Sequence, residues 1–214
     1  MLWSGSIGYG LRKYNSAGSK FKGQLPGYSV RWIVPAGPDS IFLGDYAYGW
    51  KKLQTDSIEN DPFHIIPSVT QIDNFIISKK GDYWIKSDSR GYFKYNAFSG
   101  NLTPYPEIND YHTAGAKQPM LEDSKGNIWF PGPGGVFIRY HAATGRIDSF
   151  SINTNAAKPV QPKAICTALY EDKQGIYWIG TQEGFAKVFF SDKENALPQV
   201  VWYNTNSATR NSLN

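Results

Sequence analysis

One short segment recurs along the chain. Ile176-Tyr177-Trp178-Ile179-Gly180 matches Asn127-Ile128-Trp129-Phe130-Pro131 and Asp82-Tyr83-Trp84-Ile85-Lys86, and Leu2-Trp3-Ser4-Gly5 fits the same frame. Ser40-Ile41-Phe42-Leu43-Gly44 fits it with Phe42 in the tryptophan's place. The aligned positions 3, 42, 84, 129 and 178 are 39, 42, 45 and 49 residues apart. A period of this length marks one supersecondary unit repeated along an array, with the growth in spacing absorbed by loops.

The flanks repeat as well. Asp123-Ser124-Lys125-Gly126 and Asp172-Lys173-Gln174-Gly175 precede two of the tryptophan segments, and Ser78-Lys79-Lys80-Gly81 is a weaker copy. Asp in the first place accepts backbone N–H bonds, and Gly in the fourth supplies a positive φ, so each reads as a hairpin turn. After the tryptophan comes a glycine-bearing loop and then a strand ending in an aromatic: Gly10 to Tyr14, Gly91 to Tyr95, Gly135 to Tyr140 and Gly184 to Phe189. Ala97-Phe98-Ser99-Gly100 and Ala142-Ala143-Thr144-Gly145 then turn the chain into a fourth strand, as at Ile147 to Ile152 and Gln199 to Tyr203. Four short antiparallel strands cannot bury both faces alone, whereas stacking such sheets around an axis buries them, with the large indole between neighbours. A sandwich gives no reason for the period. The fold expected is all-β: a β-propeller segment of about five four-stranded blades, with units at about 1–29, 30–67, 68–113, 114–160 and 161–214. The first unit opens in its second strand, and the polar run Asn204 to Asn214 reads as a connection to another blade. The expectation is therefore four complete units and a truncated first one, as a fragment of a larger propeller.

Composition narrows the function. Lys plus Arg is 22 and Asp plus Glu is 18, a net charge of +4, with no basic run longer than two. Nucleic-acid binders concentrate such charge on one face, so no nucleic-acid partner is expected. No apolar run approaches the roughly 18 residues of a membrane span, so no membrane insertion by this segment is expected. The single cysteine, Cys166, lies in an apolar run and reads as a packed small residue. No histidine pair has metal-ligand spacing, and there is no nucleophile elbow or phosphate loop. No cofactor, metal or catalytic residue is indicated.

The segments Glu171-Asp172-Lys173-Gln174-Gly175-Ile176-Tyr177-Trp178-Ile179-Gly180-Thr181-Gln182-Glu183-Gly184, Leu121 to Phe130 and Leu2 to Tyr14 resemble the two-component regulator propeller repeat. Asn206 to Asn214, ending Asn-Ser-Leu-Asn, is similar to that family's inter-blade connection. The resemblance covers nearly the whole chain, most weakly in the second unit. It implies the periplasmic sensor region of a hybrid two-component histidine kinase of the Bacteroidetes type, part of an inner-membrane-anchored protein that detects carbohydrate or another nutrient. The implied partners are an oligosaccharide or other small polar ligand, further blades of the same parent chain, and a homodimer. The runner-up is a virginiamycin B lyase type of propeller, which Gly126 to Phe130 and Arg139 to Ile147 resemble. Such an enzyme needs a His base and a metal-holding carboxylate on one face. A protein-binding scaffold without a small ligand is the third reading.

Loops between second and third strands project to the same face as the long inter-blade connections. They carry aromatic and planar hydrogen-bonding groups, which is what a sugar ring needs: a stacking surface and directional partners. The ligand-binding candidates are Tyr9, Tyr46, Tyr48, Asp88, Arg90, Gln182 and Glu183, with Tyr111 and His112 in the longest connection. His64 shares the connections. His141 follows a third strand and is expected on the outer side of its blade.

Overall fold

The computed structural model describes residues 2–6, 10–14, 21–24, 29–37, 40–45, 49–54, 69, 72–87, 90–109, 119–152, 166–182, 184–190 and 198–203. These residues form five antiparallel sheets, each a meander in chain order. The first holds β1 (Leu2–Ser6), β2 (Gly10–Tyr14) and β3 (Phe21–Gln24), and the second β4 (Val30–Gly37), β5 (Ser40–Asp45) and β6 (Gly49–Gln54). The third holds β7 (Ile72–Ile77), β8 (Asp82–Ser87), β9 (Gly91–Asn96) and β10 (Leu102–Pro104), followed by a single helical turn, α1 (Pro106–Asn109). The fourth holds β11 (Leu121–Glu122), β12 (Ile128–Pro131), β13 (Val136–Tyr140) and β14 (Ile147–Ser151). The fifth holds β15 (Cys166–Glu171), β16 (Tyr177–Thr181), β17 (Gly184–Phe189) and β18 (Gln199–Tyr203).

The sheets stack in chain order. Phe42 of the second sheet packs with Phe75 and Ile85 of the third. Trp84 and Tyr92 of the third pack with Ile128, Phe130 and Ile138 of the fourth. Trp129 and Phe137 of the fourth pack with Tyr177, Ile179 and Val188 of the fifth. Alternation along each strand sends successive side chains to opposite faces, so every internal sheet contributes to two seams. This is the blade stacking of a β-propeller. In the second, third and fourth sheets the tryptophan position faces the next sheet: Phe42 meets Tyr83 at 5.5 Å, Trp84 meets Phe130 at 5.3 Å, and Trp129 meets Tyr177 at 4.7 Å between ring centroids. The second sheet shows three strands; the fourth expected for that unit falls in residues outside those described.

The Asp-x-x-Gly turns do more than reverse the chain. Asp123 Oδ1 accepts the amides of Lys125 at 3.0 Å and Asn127 at 2.8 Å, closing the turn. Its Oδ2 accepts Asn127 Nδ2 at 2.9 Å, Trp129 Nε1 at 2.8 Å and, from the next sheet, the Tyr177 hydroxyl at 3.0 Å. Burial and the neighbouring charges of Asp123 and Glu171 push the Tyr177 phenol up, so it stays a donor. Asp172 repeats the pattern, taking the amides of Gln174 and Ile176 and, at 2.8 Å, the indole of Trp178. Gly126 and Gly175 complete these turns at φ 83 and 74, where other residues are strained.

The residue before each Asp reaches backwards. Glu122 accepts the amide of Lys79 in the third sheet's turn, at 2.8 and 3.0 Å from its two oxygens. Glu171 likewise accepts the amide of Ser124 and, at 2.8 Å, its hydroxyl. Opposite each tryptophan position on the third strand stands a basic residue: Lys13, Lys52, Lys94, Arg139 and Lys187. Lys94 lies 5.8 Å from the Trp84 ring, Arg139 5.2 Å from Trp129 and Lys187 5.2 Å from Trp178, within cation–π range.

Asp123 is buried with five donors, whereas among the described residues Asp172 has three and none from another sheet, so their replacements should differ. Asp123→Ala is expected to cost about 3 kcal/mol or more by stranding buried donors, and Asp172→Ala distinctly less. Urea unfolding of both variants checks this; equal losses would contradict it.

Candidate functional site

In each unit the second strand ends where the first begins, because the two are antiparallel. The loops from second to third strand therefore share one end of the sheets with the entries to the first strands, opposite the Asp turns. In the second sheet this end carries Asp45, fully buried and accepting the amide of Ser29. In the third it carries Asp73, Lys86, Ser87 and Arg90, and in the fifth Thr181 and Gln182.

Three first strands are bulged at the same place, with register shifts between Val30 and Trp32, Ile72 and Asn74, and Cys166 and Ala168. The extra residues are Arg31, Asp73 and Thr167. Bulges re-aim a side chain and recur beside functional sites. Across from Trp32 is Gly44, across from Asn74 is Lys86, and across from Ala168 is Gly180. Gly44 is forced, since a Cβ there would stand 1.8 Å from the Trp32 ring. The smaller Asn74 leaves room for a long side chain. Lys86, 0% exposed, places its Nζ 2.8 Å from Asp73 Oδ2, itself 3% exposed. The buried Tyr92 phenol is pushed up, first by burial and then by the charge of Asp73. A buried polar cluster thus underlies the loop end of the third sheet, where the second and fifth sheets have Gly44 and Gly180 and the fourth has Pro131.

Of the candidates named from sequence, Arg90 and Gln182 are described, and both are exposed at this end. They belong to the third and fifth sheets, with the fourth between them, so they are not side by side. Tyr9, Tyr46, Tyr48, Asp88, Tyr111, His112 and Glu183 lie outside the described residues, as does His64. Sequence reasoning missed the Lys86–Asp73 pair. Its signal was the single lysine in a repeat position held elsewhere by glycine or proline.

Other titratable groups are engaged elsewhere. His141, at the far end of β13, has Nε2 2.8 Å from Asp148 Oδ2, and Asp148 also takes Arg139 Nε at 3.1 Å and Nη2 at 2.8 Å. Partial burial pushes the Asp148 carboxyl up, but the hydrogen bonds and charges of Arg139 and His141 outweigh it and hold it below its ordinary value. Burial pushes the Cys166 thiol up to about 12, so it is not a thiolate at neutral pH. Among the described residues, no three His, Cys, Asp or Glu side chains converge as a metal site requires. A cleft at the turn end, between Lys80, Asp82, Lys94 and Glu122, has a volume of about 40 Å³, against roughly 300–1,000 Å³ for ligand pockets. Its lysines are already engaged, Lys94 with Asp82 at 2.8 Å and Lys80 with the Ala142 carbonyl at 3.2 Å.

Residues 161–183 match the family model described as two component regulator propeller. The chain contains a two component regulator propeller repeat. No curated protein matches the sequence. Among solved structures, the extracellular domain assigned to the hybrid two component system BT3049 of B. thetaiotaomicron is 18% identical, with a TM-score of 0.73 over 94% of this chain and 27% of its own. The corresponding BT4673 domain is 14% identical, with a TM-score of 0.69 over 98% of this chain and 29% of its own. Virginiamycin B lyase from Staphylococcus aureus is 12% identical, with a TM-score of 0.63 over 94% of this chain and 64% of its own. These likenesses establish the fold. The chain spans less than a third of the two Bacteroides domains. No helix among the described residues is long and apolar enough to cross a membrane.

The Lys86–Asp73 pair gives a direct test of this end. Lys86→Ala leaves a buried carboxylate without its counter-charge and is expected to cost about 3–5 kcal/mol, whereas Lys86→Leu with Asp73→Ala restores most of the loss. Urea midpoints of the two variants measure this; a single variant as stable as the double would contradict the pairing.

Proposed function

We propose that this propeller segment is a ligand-sensing part of a hybrid two-component sensor, facing outward from the inner membrane in the periplasm and reading a carbohydrate or similar polar nutrient. The observation that carries this reading is the family repeat, with two structural neighbours that are extracellular domains assigned to hybrid two component systems. The distribution of side chains supports it. Scaffold groups repeat at the Asp-turn end, while the loop end varies from unit to unit, with Arg90 and Gln182 exposed there. In this reading the segment binds and does not catalyse.

The lyase-like neighbour favours one alternative, an elimination enzyme. It requires a free histidine base at the loop end, and His141 is held by Asp148 at the other end. His64 and His112 are the remaining bases it could use.

A ligand that binds only the folded state raises the melting temperature. At 100 times its Kd it adds about 2.7 kcal/mol, or roughly 5–10 °C for a domain of this size. Screening oligosaccharides by thermal shift is expected to give such a rise, reduced by Arg90→Ala or Gln182→Ala. No shift with any glycan, together with turnover of quinupristin, the molecule bound in a virginiamycin B lyase structure, that is lost on replacing His64 or His112, would overturn the sensor reading in favour of the enzyme.

A further inference from the structure

Trp129 and Trp178 each donate Nε1, at 2.8 Å, to the aspartate six residues earlier, Asp123 and Asp172. Six residues before Trp84 stands Ser78, so the third sheet has no carboxylate at that place. Ser78 Oγ accepts the amide of Asp82 at 3.1 Å. Among the described residues, Trp84 Nε1 donates to no group, although the side chain is 1% exposed. A buried donor left unpaired is costly and calls for an acceptor. Trp84 and Ser78 together line the cleft at the turn end of the third and fourth sheets.

That cleft has the size of the missing group. Its volume of about 40 Å³ takes about three water-sized atoms, which is a carboxylate and not a sugar ring. Its walls are rich in donors: the Trp84 indole, the Ser78 hydroxyl proton, and the ammoniums of Lys80 and Lys94. Lys80 is held only by a neutral group, the Ala142 carbonyl at 3.2 Å, and Lys94 by Asp82 at 2.8 Å. Each ammonium has three N–H groups, so both keep donors to spare. The two carboxylates in the walls are turned elsewhere. Asp82 holds Lys94 and Asn96 Nδ2, and Glu122 holds the Lys79 amide with both oxygens. A nearby glutamate does not bar a carboxylate from this position, because Glu171 stands to Asp123 as Glu122 stands to Ser78.

We propose that the cleft between Ser78, Lys80, Trp84 and Lys94 is a binding site for one carboxylate group of a ligand. The carboxylate accepts the Trp84 indole and the Ser78 hydroxyl, as Asp123 accepts an indole and a hydroxyl from Trp129 and Tyr177. The Lys80 ammonium supplies its counter-charge. Bound there, it ties the third sheet's turn to its tryptophan, which a side chain of the chain itself does in the fourth and fifth sheets. The site lies at the end opposite Arg90 and Gln182 and does not rest on the sensor reading.

Thermal unfolding in sodium formate, against sodium chloride at equal concentration, tests the site. The melting temperature of the unaltered chain is expected to rise saturably with formate, by about 3 °C or more beyond the chloride control. Ser78→Asp places the carboxylate in the chain; it is expected to melt higher without formate and to gain nothing from it. Trp84→Phe, which puts at this position the residue the second unit carries as Phe42, is expected to lose the formate response as well. No rise beyond chloride in the unaltered chain would overturn the proposal. So would a rise kept in full by Ser78→Asp or Trp84→Phe, which would mark an effect of the salt on the chain as a whole. Glucuronate at the same concentration separates the sources of the carboxylate: a larger rise than formate assigns the site to a sugar acid, a smaller one to a free short-chain acid.

Discussion

The seam between the fourth and fifth sheets depends on a carboxylate that is buried and yet fully used. Asp123 closes its own turn with one oxygen and holds its own tryptophan and the next sheet's tyrosine with the other. A buried charge without such partners costs several kcal/mol, so five donors are what let it sit there. The consequence is mechanical. The turn, the indole that fills the seam and the neighbouring sheet are fixed to one group, so a unit cannot rotate its tryptophan without opening its turn. Glu171 adds a second tie by reaching back to the preceding turn. Where Ser78 replaces the Asp, its hydroxyl accepts the amide of Asp82 at 3.1 Å.

Much of this was legible in the sequence, because it is local. The tryptophan spacing located every second strand, and Phe42 does take the tryptophan's part, buried against Phe75 and Tyr83. The Asp and Gly of each turn announced themselves by residue type. What was not legible joins residues more than 40 positions apart. Nothing local says that Glu122 answers Lys79 or that Tyr177 answers Asp123. The basic residue facing each tryptophan was visible in the repeated third strands, yet it becomes meaningful only once register pairs Lys94 with Trp84 and Arg139 with Trp129. The scattered positive charge is thus partly structural, with five of the basic residues spaced by the repeat.

The two ends of each sheet carry different loads. At the turn end, the same groups recur: Asp123 and Asp172 each hold their own indole, and Glu122 and Glu171 each hold the preceding turn. At the loop end, glycine, lysine and proline alternate at one repeat position, the bulge residue changes from Arg31 to Asp73 to Thr167, and the exposed groups differ. A scaffold satisfied at one end frees the other to vary, which is the arrangement binding proteins use when loops on a rigid frame carry specificity. Of the candidates named from sequence, Arg90 and Gln182 fall among the described residues, and the Lys86–Asp73 pair escaped notice because residues at this end obey no period.

The most direct test is a double-mutant cycle between Asp123→Asn and Tyr177→Phe, read by urea unfolding. If one carboxylate ties a sheet to its neighbour, the two changes are coupled by about 1–2 kcal/mol. Losses that add to within about 0.3–0.5 kcal/mol would contradict the account, since the carboxylate and the tyrosine would then act independently.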